Sequence, residues 1–275
     1  MKLEHLERAF ESIGARLQIE VSKPAPRWDG AIIRTGYSLD IGHDRHGQFF
    51  AVRGDEESLA EAEFSLLNKQ KDDRHLLLLV KNEDSGRKDR FLCGHDEREW
   101  FVAAVPGPAS TVVQAKEALK PQPVRQAQAR KGLNARQANT RHNAAFRRQG
   151  EWFFVPMDKP MTVDPKLILR NEPLSRGGGS KPHYVEQLYR TGGELVYVNR
   201  QHPQGITQAQ YNKLIQRSPA AKKLIWHQMR RNPGVFARGA VRHPDHATIV
   251  LHDWCRVLMN EENKAQGRKN LAFLD

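Results

Sequence analysis

The sequence has few cysteines and no long apolar run, and both absences narrow the class of protein. Its two cysteines, Cys93 and Cys255, lie far apart in a chain of 275 residues and match no metal-ligand spacing. A disulfide framework is therefore excluded, and a reducing compartment, the cytoplasm, is the expected location. No stretch approaches the roughly 20 apolar residues of a membrane span, so no membrane partner is expected. The first six residues contain an acid and no apolar core, unlike a secretory signal.

Several standard catalytic and cofactor motifs are also missing. The sequence contains no P-loop, no G-x-G-x-x-G fingerprint, no H-E-x-x-H, no pair of C-x-x-C motifs and no nucleophile elbow. No cofactor is therefore predicted. No motif identifies a reaction, and the residues leave open whether the chain is an enzyme.

Acidic residues are absent from one segment, and this makes the charge distribution informative. The whole chain has a net charge of +12. Residues 1–118 hold 17 basic and 21 acidic residues, 119–150 hold eight basic residues and no acid, and 151–275 hold 19 basic and 11 acidic residues. A positive charge concentrated in this way predicts a polyanionic partner.

The pattern of short apolar runs and turn residues predicts an α+β fold. We expect two small domains with mainly antiparallel sheets, joined by a basic Arg-rich linker. The predicted boundaries are 1–119 for a slightly acidic domain, 120–150 for the linker and 151–275 for a basic domain. The linker has almost no large apolar residues, so the sequence predicts that it is flexible without a partner.

In the first domain the spacing of apolar residues predicts an amphipathic helix over roughly 2–18. The run 75–80 is apolar throughout and reads as a strand buried on both faces, and Ser110 or Thr111 can cap a helix that ends at Leu119. The tripeptide Gly-His-Asp occurs at 42–44 and again at 94–96, before an apolar strand each time. It indicates similar turns, a duplicated half-domain or a pair of His/Asp side chains presented together.

In the second domain we expect helices over 182–190, from Thr207 to about Arg217, and from Pro219 to about Arg231, with Thr207 and Ser218 as caps. The last of these would place Lys223, His227 and Arg230 on one face. Three short strands are predicted to follow, at 235–242, 247–251 and 256–259.

Basic residues in the linker and the second domain are the candidate nucleic-acid contacts, because Lys and Arg neutralise phosphates. Arg-rich segments also fold on RNA, which favours RNA or single strands over duplex DNA. The alternative for the linker is a solubilising segment. Lys181 follows the glycines at 177–179, which form either an anion cradle or a plain flexible loop. The full candidate set is Arg125, Arg130, Lys131, Arg136, Arg141, Arg147, Arg148, Lys181, Lys222, Lys223, Arg230 and Arg231.

A histidine-rich turn is the candidate catalytic site. His243, Asp245 and His246 flank the turn of a predicted hairpin and could bind a metal or perform acid–base chemistry on a phosphodiester. The same residues also suit an ordinary turn or a nucleic-acid contact, and the metal itself cannot be assigned. His252 and Asp253 should lie at the far end of the second strand, and spacing does not show whether His183 joins the group.

Three functions remain open from the sequence. The first is a nucleic-acid-binding protein that acts in a nucleoprotein complex, such as a ribonucleoprotein, with residues 1–119 docking on a protein partner. The second is a metal-assisted nuclease, or another phosphodiester hydrolase, that uses the His243–His246 turn. The third is a protein-interaction module with no nucleic acid.

Overall fold

A computed structural model describes residues 4–22, 25–26, 32–33, 36–82, 86–176 and 181–264. Its contacts divide the described chain into two compact units. Unit 1 contains the chain up to Arg125 together with 134–139 and 260–264, and unit 2 contains 126–133 and 140–259. The fold is α+β with mainly antiparallel sheets, as predicted.

Unit 1 is built from two sheets and short helices. Its helices up to residue 118 are α1 Glu4–Glu11, α2 Glu56–Ala60 and α3 Val112–Ala118. Its strands are β1 Leu17–Val21, β2 Ala25–Pro26, β3 Ile32–Ile33, β4 Tyr37–Asp44, β5 Gly47–Gly54, β6 Ala62–Gln70, β7 His75–Asn82, β8 Lys88–Asp96 and β9 Glu99–Ala104. The sheet orders are β1-β5-β4 and β6-β7-β8-β9, with β2 paired to β3, and β1 runs parallel to β5.

The centre of unit 1 is β7, which is buried on both faces as predicted. Leu76 and Leu78 pack in one apolar cluster, which also contains Phe10 of α1. Leu77 points the other way, into a cluster with Val112 of α3. The predicted cap of α3 is confirmed, since Thr111 accepts a hydrogen bond from the Gln114 amide.

The glycines of the two Gly-His-Asp tripeptides have a packing role. A Cβ at Gly42 would lie 2.3 Å from the ring of Phe49, and a Cβ at Gly94 would lie 2.4 Å from the ring of His75. In each case the aromatic ring belongs to the residue paired with the glycine on the neighbouring strand. Each glycine therefore allows a cross-strand ring to lie on the backbone.

The segment 120–150 contains regular structure where the sequence predicted a flexible linker. It forms α4 Gln122–Arg130, α5 Ala135–Ala138 and β10 Arg147–Gln149. Its few apolar side chains are spaced so that they are buried, and Val124, Ala127 and Phe146 are the clearest cases. Phe146 packs edge-to-face on Phe153, with ring centroids 5.1 Å apart. Sequence composition did not show this, because burial depends on where a few apolar residues lie rather than on their number.

Unit 2 is built on a six-stranded antiparallel sheet. Besides β10, its strands are β11 Trp152–Pro156, β12 Leu169–Leu174, β13 His183–Thr191, β14 Glu194–Val198, β15 Ile206–Thr207, β16 His227–Arg231, β17 Gly234–His243 and β18 His246–Met259. Its remaining helix is α6 Gln208–Arg217, with 3-10 turns at Pro165–Leu167 and Pro219–Lys223. The large sheet has the order β10-β11-β18-β17-β13-β12, and a small sheet has the order β15-β14-β16.

Two of the predicted helices in unit 2 are wrong. Residues 183–190 of the predicted helix 182–190 belong to β13, in which His183, Val185 and Leu188 are buried between more exposed neighbours. The predicted helix 219–231 is a 3-10 turn followed by β16, which pairs with β14. Cross-strand pairing outweighs the helical periodicity there, so the predicted basic helix face does not form.

The helix from Thr207 is confirmed, and the hairpin predicted around residues 243–246 is confirmed with longer strands. The strands predicted at 247–251 and 256–259 are one strand, β18. The glycine loop at 177–179, together with Ser180, lies outside the described residues.

Candidate metal centre

Strand pairing brings three histidines to one end of the large sheet in unit 2. His183 is the first residue of β13, His243 is the last residue of β17, and His246 is the first residue of β18. The pair Tyr184–Arg242 aligns β13 with β17, so His183 lies beside His243. The two-residue turn of the β17–β18 hairpin places His246 opposite His243. We call these three residues the histidine cluster.

The rings of the histidine cluster lie close enough together to bind one metal ion. Ring centroids are 4.2 Å apart for His183 and His243, 4.6 Å for His243 and His246, and 5.6 Å for His183 and His246. One nitrogen from each ring can be chosen so that the three atoms lie within 4.8 Å of one another. Nitrogens bound to a tetrahedral Zn²⁺ at about 2.0 Å stand about 3.3 Å apart, so small side-chain movements would produce a ligand geometry.

Two of these nitrogens border a small space beside Gly150. This residue follows β10 and has a φ of +56°, a left-handed conformation that favours glycine. A Cβ at this position would stand 3.1 Å from Nε2 of His246 and 3.2 Å from Nε2 of His183. The two Nε2 atoms therefore border one small volume that the missing side chain keeps open.

His183 has an unusual environment for a purely structural histidine. Its side chain is only 1% exposed, and neither ring nitrogen has a hydrogen-bond partner among the described residues. A buried polar group without a partner costs about 1–3 kcal/mol, and native proteins rarely keep one without a reason. A bound metal ion would satisfy one of these nitrogens.

Two members of the histidine cluster, His183 and His243, have lowered pKa values that favour the neutral, metal-binding form. Burial, with the repulsion of His243 and His246 if they are charged, lowers the pKa of His183 to about 3. Burial and His246 also lower the pKa of His243, while the charges of Asp245 and Glu151 act in the opposite direction. Since a metal binds neutral imidazole, few protons compete for these nitrogens at neutral pH.

Asp245 supports the histidine cluster from the turn. Its carboxylate accepts two hydrogen bonds from Nζ of Lys181, at 2.9 and 2.8 Å, and its amide donates to Nδ1 of His243 at 3.1 Å. Burial would raise the pKa of this carboxyl, but the hydrogen bonds and charge of Lys181 lower it overall. The ring of His243 also bonds to the backbone of Lys181, so a metal bond to His243 replaces one of its two hydrogen bonds.

The structure thus brings together His243 and His246 from the predicted catalytic turn and adds His183. Asp245 pairs with Lys181 and is not one of the converging ligand residues. His252 and Asp253 lie inside β18 and are not part of the cluster. The sequence did not assign His183 to the site because the prediction of a helix over 182–190 concealed its place beside His243.

We expect the metal-free protein to lose stability as the pH falls from about 6.5 towards 3. In that window an unfolded chain protonates His183, whose ordinary pKa is about 6.5, while the folded chain does not. Within this window the free energy of unfolding falls by up to about 1.4 kcal/mol for each pH unit. Above pH 6.5 the stability that comes from the lowered pKa of His183 is fully present. Urea unfolding at pH 7, 6 and 5 in chelator measures it. His183→Ala should flatten this dependence, and an equal loss in the variant would contradict the assignment.

The predicted nucleic-acid contacts are spread over several environments. Arg125, Arg130, Lys131 and Arg136 are exposed, as are Lys222 and Lys223, and Arg130 also lies 3.8 Å from the Asp158 carboxylate. Lys181 pairs with Asp245, Arg231 pairs with Glu194, and Arg230 donates to the Gly192 carbonyl. The half-buried members are Arg141, Arg147 and Arg148, and the Arg147 guanidinium bonds to the Val250 carbonyl.

No family model, curated protein or solved structure matches this chain. Across the described ranges, no helix has both the length and the apolar character needed to cross a bilayer. The histidine cluster is therefore interpreted from its own geometry and chemistry.

Proposed function

We propose that the chain is a metal-dependent hydrolase and that His183, His243 and His246 bind a zinc-type ion. The observation that carries this proposal is the convergence of three imidazoles, two of which border the space beside Gly150. Imidazole suits Zn²⁺ and related ions, and three protein ligands leave a coordination position for water. An ion held by these three residues would supply a water nucleophile at neutral pH, because zinc-type ions lower the pKa of a bound water to about 7.

The charge of the chain supports a phosphodiester of a nucleic acid as the substrate. The net charge of +12 favours polyanions, and Lys181 places a cation beside the turn that carries His243 and His246. Asp245 holds Lys181 there through both of its carboxylate oxygens. We assign Lys181 to the orientation of a phosphate group.

Glu151 is our candidate for the proton acceptor. It follows Gly150 directly, and its charge acts on the ring of His243. A general base of this kind contributes about 10²–10⁴-fold to a rate. Glu151→Gln should therefore lower kcat for phosphodiester hydrolysis while metal content stays at one ion per chain. An unchanged kcat would remove this residue from the mechanism.

Hydrolysis of labelled single-stranded RNA and DNA, after dialysis against chelator and return of Zn²⁺ or Mn²⁺, tests the proposed function. Cleavage should appear with the metal and disappear when chelator is added again. Metal binding without cleavage of RNA, DNA or a simple phosphodiester would show a structural centre, and the absence of metal binding would refute the proposal entirely.

A second candidate function is nucleic-acid binding without catalysis, in a cytoplasmic nucleoprotein complex. Its specific support is the exposed set of cations at Arg125, Arg130, Lys131 and Arg136, in a segment that contains no acid. Residues 1–119 would then dock on a protein partner. Co-purification before and after nuclease treatment separates this function from a protein-only interaction module.

A further inference from the structure

The connection between β13 and β17 is a small folded module. These two strands are antiparallel neighbours, and the last residue of one, Thr191, pairs with the first residue of the other, Gly234. A tight turn would suffice to join them. Instead residues 192–233, which we call the insertion, contain the three-stranded sheet β15-β14-β16 and helix α6.

The insertion has a thin core made largely of aromatic rings. Val196 and Ala221 are its buried apolar residues among those described, and α6 has no buried residue. Tyr197 stacks on Tyr211 at 4.2 Å, and Trp226 lies edge-on to Tyr211 at 5.1 Å. These rings remain half-exposed, so the insertion presents aromatic surface to solvent.

The insertion also concentrates positive charge. It contains seven basic residues and one acid, Glu194, which Arg231 already neutralises. Five of the basic side chains are exposed and form no ion pair with any residue that the structure describes. These five residues are Arg200, Lys213, Arg217, Lys222 and Lys223.

One apolar side chain stands out on this basic surface. Ile225 is 79% exposed, and it follows Lys222, Lys223 and the partly exposed Leu224. Adjacent Trp226 is anchored, because its Nε1 donates to the Ala221 carbonyl at 2.9 Å. The anchored ring holds the short segment that presents Ile225 next to two cations.

We propose that the insertion binds single-stranded nucleic acid. Its exposed lysines and arginines bind phosphates, and Ile225 with the half-exposed rings contacts bases. Surfaces that bind single strands combine a basic face with aromatic side chains in this way. This inference rests on the proposed function, because the nucleic-acid substrate proposed there is the reason for choosing nucleic acid as the ligand of the insertion. A membrane surface fits less well, since only a few apolar side chains are exposed here, and it is an outcome of the test below.

The insertion and the histidine cluster lie at opposite ends of the same two strands. His183 begins β13 and His243 ends β17, whereas the insertion joins the end of β13 to the start of β17. Eight residues at ~3.3 Å each put about 26 Å along the sheet between them. Nucleic-acid binding by the insertion can therefore be measured without metal at the histidine cluster.

Fluorescence anisotropy of the full chain with labelled oligothymidylate and oligouridylate, in chelator and at several salt concentrations, tests the proposal. Lys222→Ala/Lys223→Ala should weaken binding about tenfold at moderate salt and reduce the slope of log K against log salt by about 1.4. The matched control is Lys71→Ala/Lys88→Ala, which removes two exposed charges from unit 1. Equal effects of both variants would overturn the proposal.

Ile225→Ser separates base contact from charge. We expect it to weaken binding about threefold to tenfold with an unchanged salt slope, because a base contact releases no counterions. Unaltered affinity would remove Ile225 from the surface. Binding to phosphatidylserine vesicles without binding to either oligonucleotide would replace the proposal with a membrane surface.

The failure of this inference can be distinguished from the failure of the proposed function. If the metal-loaded chain cleaves no phosphodiester but Lys222→Ala/Lys223→Ala loses oligonucleotide binding, the insertion proposal stands and the hydrolase proposal falls. If the metal-loaded chain cleaves a phosphodiester but Lys222→Ala/Lys223→Ala binds oligonucleotides normally, the hydrolase proposal stands and the insertion proposal falls.

Discussion

Replacing His183 with alanine is expected to lower the affinity of the chain for Zn²⁺ about a hundredfold or more. Four-ligand zinc sites release about 10–16 kcal/mol on binding, or about 3 kcal/mol per ligand, which corresponds to a factor above a hundred. His183 supplies one of the three nitrogens of the histidine cluster. Competition with a chromophoric zinc chelator measures the change, and His243→Ala and His246→Ala should behave alike.

The control for the histidine variants is His252→Ala, which removes an exposed imidazole from β18 outside the cluster. It should leave zinc affinity unchanged. The metal-free His183→Ala protein should keep most of its stability, because the lost packing is offset by removal of two buried nitrogens that have no partner among the described residues. Full zinc affinity in His183→Ala would show that this ring is only part of the core.

Gly150→Ala is expected to weaken zinc binding tenfold or more and to destabilise unit 2. The added methyl group would stand 3.1 and 3.2 Å from the Nε2 atoms of His246 and His183, so these rings must move from their positions. The positive φ adds about 1–2 kcal/mol of backbone strain for a residue with a side chain. Zinc competition and urea unfolding measure the two effects separately.

Gly132→Ala is the matched control for Gly150→Ala. Gly132 also lies in unit 2 and has a φ of +61°, but a Cβ there would meet no atom within 4 Å. It should therefore show the backbone strain with normal zinc affinity. If both variants bind zinc equally well, the space beside Gly150 does not contribute to the site.

Several elements could be predicted because their signals are local. The helix α1 follows from apolar periodicity, although it ends at Glu11 and not near residue 18 as predicted, because Leu17 pairs with β5 as the first residue of β1. The strand β7 follows from an unbroken apolar run, and α3 and α6 follow from capping threonines at 111 and 207. The hairpin that carries His243 and His246 also follows from the chain alone, because Pro244 and Asp245 suit a tight turn between apolar runs. Local backbone preference decides each of these elements, so neighbouring residues suffice to predict them.

Other elements could not be predicted because distant contacts decide them. The pattern around residues 219–231 fits a helix face, yet pairing with β14 makes its second half a strand. The composition of 120–150 is typical of a flexible segment, yet burial of Val124 and Phe146 accompanies its ordered helices. In both cases long-range pairing or packing outweighs a weak local preference.

The sequence by itself determined the charge distribution, the α+β class and the hairpin with two histidines. Only the tertiary structure decided that His183 belongs with them, because that depends on the register of β13 against β17 over a separation of about 60 residues. The same pairing placed the insertion at the other end of those strands. Hydrogen bonds between strands fix such registers, and no local pattern in the sequence records which distant residue becomes the neighbour.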